Sequence, residues 1–200
     1  MSALADGVGA ALAPEELARA DAYRLLGLLL AAPPNAELLG MLQAIEPGGG
    51  PMAEQWEALR LVAGSADPQR LREEYQALFI GLGRGELNPY ASWYLTGFLM
   101  EKPLADLRCE LAELGYGRRQ DVAEPEDHIA ALCELMSLLI VERRLAFGDL
   151  QRFYERYIGV WAGRFFGDLE QAQSADFYRV VGRLGSAFQG IEKQYYSMPV

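Results

Sequence analysis

The chain has 200 residues, 51% of them hydrophobic, which is enough apolar content for one packed domain and too little length to require two. Lys and Arg total 18 against 28 Asp and Glu, giving a formal charge of −10; such a surface repels nucleic-acid phosphates and favours cationic partners, although it also serves solubility. The two cysteines, Cys109 and Cys133, form no Cys-x-x-Cys pair, so neither a disulfide scaffold nor a structural zinc site is expected and a reducing cytoplasm fits.

The first thirteen residues carry no Lys or Arg ahead of an apolar run, unlike a secretory leader. The longest apolar run, Leu25 to Ala32, is far shorter than the roughly 20 residues of a membrane span. Pro14-Glu15-Glu16 reads as a first helical turn, because proline fits the start and acids complement the helix dipole. Ala22, Leu25, Leu26 and Leu29 then follow helical spacing until Pro33-Pro34 stops the helix. A second helix is predicted over 36–45, then a glycine loop between Pro47 and Pro51. Further helices follow over 52–63 and 68–79.

Gly81, Gly83 and Gly85 break the periodicity, and Pro89 follows them. A short helix is expected near 90–97. Pro103 opens another helix that ends around Gly115 and Gly117. Pro125 opens one over 126–146, and the last two run over 149–166 and from Ser174 to 196, with Ser174 placed as an N-cap. Alternating, β-branched runs are absent, so no strand is predicted. The expected fold is all-α: a single compact domain spanning 1–200 with about eight or nine helices.

Three stretches carry candidate chemistry. Gly81-Leu-Gly-Arg-Gly85 lacks the ending of a phosphate-binding P-loop and has no preceding strand; Arg84 is its one candidate contact for an anion or nucleotide. Around Pro89 lie Tyr90, Ser92, Trp93 and Tyr94. On a helix Tyr90, Trp93 and Tyr94 share a face, either as recognition rings or as a cap on the core. Glu124-Pro-Glu126-Asp127-His128 holds the only histidine. With Pro125 at a helix start, Asp127 and His128 are expected at its exposed mouth, beside the apolar face of Ile129, Leu132, Cys133 and Met136. Structural capping, peptide binding and acid–base chemistry all remain open for this cluster. No Gly-x-Ser-x-Gly elbow supplies a nucleophile, and a metal site here would require Glu124 to fold back onto Asp127 and His128.

These stretches together resemble the TorD/DmsD family of redox-enzyme maturation chaperones. The likeness runs through Tyr75-x-x-Leu-Phe-Ile-Gly81, Leu87-x-Pro-Tyr-x-Ser-x-Tyr94, Pro103-Leu-x-x-Leu-Arg108, Leu114-Gly115, Glu124-Pro-x-Asp-His-Ile129 and Glu134-x-Met136. Tyr23-Arg-Leu-Leu ahead of Pro33-Pro34 is similar to the family's first helix. The resemblance implies a cytoplasmic non-enzyme that binds the twin-arginine signal peptide and the apo catalytic subunit of a molybdenum-cofactor oxidoreductase. Such a chaperone holds its client until the cofactor is inserted and so delays export. The resemblance also implies a monomer or a domain-swapped dimer, no obligatory cofactor and, in some members, weak guanine-nucleotide binding. It ties peptide binding to Asp127, His128 and the stretch Pro89–Trp93. Glu124, Glu126 and Asp127 suit arginine guanidiniums, and Tyr90, Trp93 and Tyr94 suit an apolar stretch or a stacked arginine. Two alternatives follow: a nucleotide hydrolase using Arg84 with Asp127 and His128, and a chaperone for a client without a leader.

Overall fold

The computed structural model describes residues 12–81, 85–117 and 124–198. Ten α-helices are found among the described residues, and the only β pairing there is an isolated antiparallel bridge between Tyr90 and His128. The all-α expectation is borne out.

Local chemistry sets most helix ends. In α1 (Pro14–Ala31) proline sits in the first turn, and the Glu16 carboxylate accepts the Ala13 N–H at 3.1 Å. The chain is extended at Ala32, ahead of the prolines. Asn35 caps α2 (Ala36–Gln43) through Leu38 N–H, and Asp67 caps α4 (Pro68–Tyr75) through Gln69 and Arg70 N–H. Between them lies α3 (Ala53–Ser65). α4 runs on into a π-helical turn over Gln76–Ile80. α5 (Ala91–Thr96) ends on Gly97, whose φ of 83° is left-handed and suits glycine. α6 covers Lys102–Glu113 and α7 covers Ile129–Glu142.

Four boundaries differ from the sequence pattern. α7 does not begin at Glu126: Pro125 to His128 is a turn closed by His128 N–H donating to Pro125 O at 3.1 Å. At its other end α7 stops at Arg143, which is left-handed at φ 48°. The helix expected over 149–166 is divided into α8 (Phe147–Tyr154), a π turn over Glu155–Gly159, and α9 (Ala162–Gln171). The break buries Trp161, whose indole N–H donates to Tyr157 O at 2.7 Å. Ser174 is not the cap of α10 (Phe177–Ser197). Glu74 reaches across from α4 and accepts N–H bonds from Asp176, Phe177 and Tyr178, while Glu86 accepts those of Gln173 and Ser174.

α1 and α7 lie antiparallel at the centre. Arg143 pairs with Glu16 at one end of the pair, and Gly27 faces Ala130 and Glu134 near the other. A Cβ on Gly27 would sit 3.3 Å from Ala130 O, so glycine permits this approach. α10 packs over α1, α3 and α9, and Gly182 lets it meet the α9 backbone; a Cβ there would lie 2.7 Å from Glu170 N. The buried apolar side chains form one contiguous core that includes Tyr23, Leu26, Trp161, Phe165, Phe166 and Tyr178. Inside it the Arg19 guanidinium grips Glu192 at 2.5 and 2.8 Å and donates to the Tyr196 hydroxyl, while Tyr23 donates to the same carboxylate. Among the described residues no helix is long and apolar enough to cross a membrane.

Candidate functional site

The site starts from a backbone clasp. Ala91 N–H donates to Asp127 O at 3.0 Å and Ile129 N–H to Pro89 O at 2.8 Å, which joins the segment before α5 to the segment before α7. Two stretches that the sequence separates by more than thirty positions are thereby fastened together.

Their side chains then part company. Asp127 and His128, expected at an exposed helix mouth, are both buried, at 1% and 6% exposure. The clasp is the physical reason, since it draws the turn inward onto the N-terminus of α5. Asp127 Oδ2 accepts the Ser92 N–H at 2.9 Å and so caps α5 from a distance. Its Oδ1 and the Ser92 hydroxyl oxygen are buried without a protein partner among the described residues. Asp127 lines a small cavity of about 160 Å³ beneath α5 and α6, together with Leu95, Asp106 and Arg156.

His128 points the other way. It caps α7, its Nδ1 accepting the Ala130 N–H at 3.1 Å, and this bond assigns the neutral ring's proton to Nε2. Burial pushes its pKa down to about 4, against the opposing pull of Glu124 and Asp127. Tyr90 stands edge-on to the imidazole at 5.0 Å between centroids, and its hydroxyl donates to the exposed Glu124. Burial, followed by that carboxylate, raises the Tyr90 pKa.

Glu124 and His128 form one end of a groove of about 590 Å³ between α1 and α7. Its walls are Arg24, Gly27, Leu28 and Ala31 from α1, and Ala130, Ala131, Glu134, Ser137 and Leu138 from α7. Small residues keep it open, Leu28 and Leu138 make it apolar, and Glu124 and Glu134 make it acidic. Leu28 and Leu138 are 48% and 39% exposed, so the apolar part of the lining is open to solvent. The sequence pattern missed this wall. Arg24, Gly27, Leu28 and Ala31 follow helical spacing on α1, but they lie off the strongly apolar stripe that the pattern selects.

The other candidates lie elsewhere. Glu126 is half-buried and bound to Arg108 at 2.8 Å. Pro89 is buried, and Trp93 is half-buried with its carbonyl accepting the Gly97 N–H. The Tyr94 hydroxyl donates to Asp168, and its ring rests on Trp161 and Phe165, so this ring caps the core. Arg84 lies outside the described residues. Asp127 and His128 are each engaged with a backbone N–H and line different cavities, so they are not brought together as the acid–base pair of the hydrolase alternative. The described residues hold no cluster of His, Cys, Asp and Glu able to ligate a metal, so the folded-back Glu124 site is not formed.

Beyond α5 the turn Phe98-Leu99-Met100 stands out from the surface, with Phe98 68% and Met100 73% exposed. Thr96 holds it, accepting the Phe98 N–H and donating to Ser92 O.

Known proteins resemble this chain in sequence and fold. A family model described as "Nitrate reductase delta subunit" matches residues 49–167, more than half of the chain. A "Chaperone protein TorD" of Vibrio atlanticus is 29% identical over 70% of this chain and 70% of its own. Another "Chaperone protein TorD", from Shewanella loihica, is 27% identical over 86% of this chain and 89% of its own. A protein of Haemophilus influenzae described as a Tat proofreading chaperone, DmsD, is 31% identical over 58% of this chain and 57% of its own. A crystal structure of a protein from Archaeoglobus fulgidus, described as a redox enzyme maturation protein, shares the fold with a TM-score of 0.57 at 19% identity, covering 92% of this chain and 98% of that one. The family match and the run of chaperone relatives agree with the motifs from Tyr75 to Met136, and on them the chain belongs to the TorD/DmsD family of redox-enzyme maturation proteins.

Proposed function

We propose that this protein is a cytoplasmic, system-specific chaperone for a molybdenum-cofactor oxidoreductase. It binds the client's twin-arginine leader and its apo catalytic subunit, assists cofactor insertion and delays export until assembly is complete. The observation that carries the reading is the α1–α7 groove, apolar along its floor and acidic at Glu124 and Glu134. A twin-arginine leader joins two guanidiniums to an apolar stretch, which is the complement of that lining. Carboxylates bind guanidiniums through paired, charge-assisted bonds. Neutral His128 keeps its Nε2–H as a donor, suited to a main-chain carbonyl of the bound peptide.

Isothermal calorimetry with a synthetic twin-arginine leader tests the reading. Glu124→Lys and Glu134→Lys are each expected to weaken binding by about tenfold or more, the effect of one lost charge-assisted contact. Unchanged affinity in both variants removes the groove as the leader site. The projecting turn Phe98–Met100 favours a second contact, with the catalytic subunit itself. A leader-deleted client that co-purifies with the wild type and is lost on Phe98→Ser supports that contact; co-purification unaffected by the substitution counts against it.

A further inference from the structure

α5 is short for a helix that leads into an exposed turn. Its 6 residues are too few to hold a helix without outside support. The cap residue Tyr90 makes no side-chain bond to it, so the first N–H groups need partners from elsewhere. One distant residue supplies them: Asp127 accepts the Ala91 N–H on its main-chain oxygen at 3.0 Å and the Ser92 N–H on Oδ2 at 2.9 Å. The line continues along the helix. Ser92 O accepts the Thr96 hydroxyl at 2.8 Å, and Thr96 Oγ1 accepts the Phe98 N–H at 3.2 Å. A run of hydrogen bonds thus leads from a buried carboxylate to the projecting turn. The turn itself is held in place: Met100 keeps a left-handed φ of 57°, which a residue with a side chain retains only where its surroundings impose it.

We propose that Asp127 is a positioning residue: it fixes the start of α5, and through it the Phe98–Met100 turn that meets the catalytic subunit, and touches neither that subunit nor the leader. The inference rests on the reading of the turn as the catalytic-subunit contact. At 1% exposure the carboxylate offers a partner no surface. It lines the cavity beneath α5 and α6, whereas Glu124 and His128 line the α1–α7 groove assigned to the leader. What the Ser92 N–H requires is an acceptor rather than a charge. Oδ1 has no partner among the described residues, so Asp127→Asn breaks no bond of the cap. The far end of α5 stays fastened to α9, through Tyr94 with Asp168 and Arg164 with Tyr94 O, which keeps any loss at the helix start local.

Two probes test the proposal on the full chain by calorimetry. One is a synthetic peptide of two consecutive arginines followed by a leucine–alanine stretch. The other is the leader-deleted catalytic subunit of the oxidoreductase that co-purifies with the wild type. Asp127→Ala is expected to weaken the subunit by about tenfold, to leave the peptide unchanged, and to speed hydrogen exchange at the Ser92 and Phe98 amides above the rest of the chain. Asp127→Asn is expected to restore wild-type behaviour in all three measurements. Thr96→Val cuts the same run of bonds at its exposed end and is expected to repeat the Asp127→Ala pattern; it decides the matter if Asp127→Ala does not fold. The proposal is overturned if Asp127→Asn loses either probe, since the charge is then what counts. It is overturned as well if Asp127→Ala weakens both probes equally, or if either Asp127→Ala or Thr96→Val binds the subunit as the wild type does. Phe98→Ser separates this inference from the reading beneath it. If that variant binds the subunit normally, the turn is not the contact and both fall. If it loses the subunit while Asp127→Ala and Thr96→Val keep it, the positioning role alone falls.

Discussion

At the scale of single residues, His128 does something its sequence position does not advertise. It is an N-cap, a role usually filled by Ser, Thr, Asp or Asn, and it caps through a ring nitrogen held neutral. The folded ring has a pKa of about 4 against 6.5 for a free one. Between those values the unfolded chain binds a proton that the folded chain refuses. Stability therefore declines as pH falls from about 6.5 towards 4 and levels off below that, a change on the order of 3 kcal/mol from this one group. His128→Asn keeps a capping acceptor and removes the titration, so denaturation midpoints measured across this range are expected to lose most of their slope. Arg19 is a second case. Replacing it with Met strands a fully buried Glu192 carboxylate and is expected to cost about 3–5 kcal/mol in urea denaturation. Adding Glu192→Leu to that variant is expected to restore much of the loss. Neither role was legible beforehand: His128 caps a neighbouring N–H but is buried by the distant clasp to Pro89–Ala91, and Arg19 finds its partner 173 positions along the chain.

At the scale of elements, helical periodicity and proline placement revealed most of the helices but not all of their ends. Pro125 read as a helix start because proline suits that position; the clasp with Pro89–Ala91 claims the next three residues instead. Ser174 likewise resembled a cap, yet the N–H groups at the start of α10 are taken by Glu74 and Glu86 from distant segments. Glu74→Ala is expected to cost about 1–2 kcal/mol, comparable to other helix caps, and to raise hydrogen exchange at 176–178 above the rest of α10. Burial by itself raises the Glu86 pKa, but the N–H groups of Gln173 and Ser174 outweigh it and the net shift is downward from 4.5. A carboxylate lowered in the fold stabilises at neutral pH, and the benefit disappears as pH falls below 4.5 through its folded value. Glu86→Gln is expected to flatten the acid limb of the unfolding curve recorded by circular dichroism.

At the scale of the whole molecule, composition and helical periodicity together implied an acidic all-α chain, and the ordered motifs implied its family. The groove was not legible, because it belongs to two helices more than a hundred positions apart and is defined as much by Gly27, Ala130 and Ala131 as by any charged group. A net charge of −10 acts on association at long range. The association rate of a twin-arginine peptide is therefore expected to fall steeply between low salt and 1 M, where the Debye length shrinks to about 3 Å, while its dissociation rate changes less; stopped-flow fluorescence separates the two. The Arg19–Glu192 pair carries a further consequence, in the time order of synthesis. It ties the first helix to the last across 173 positions, so α1 has no buried counter-charge until Glu192 has left the ribosome. One wall of the groove thus waits for its buried ion pair until long after both groove helices have been made.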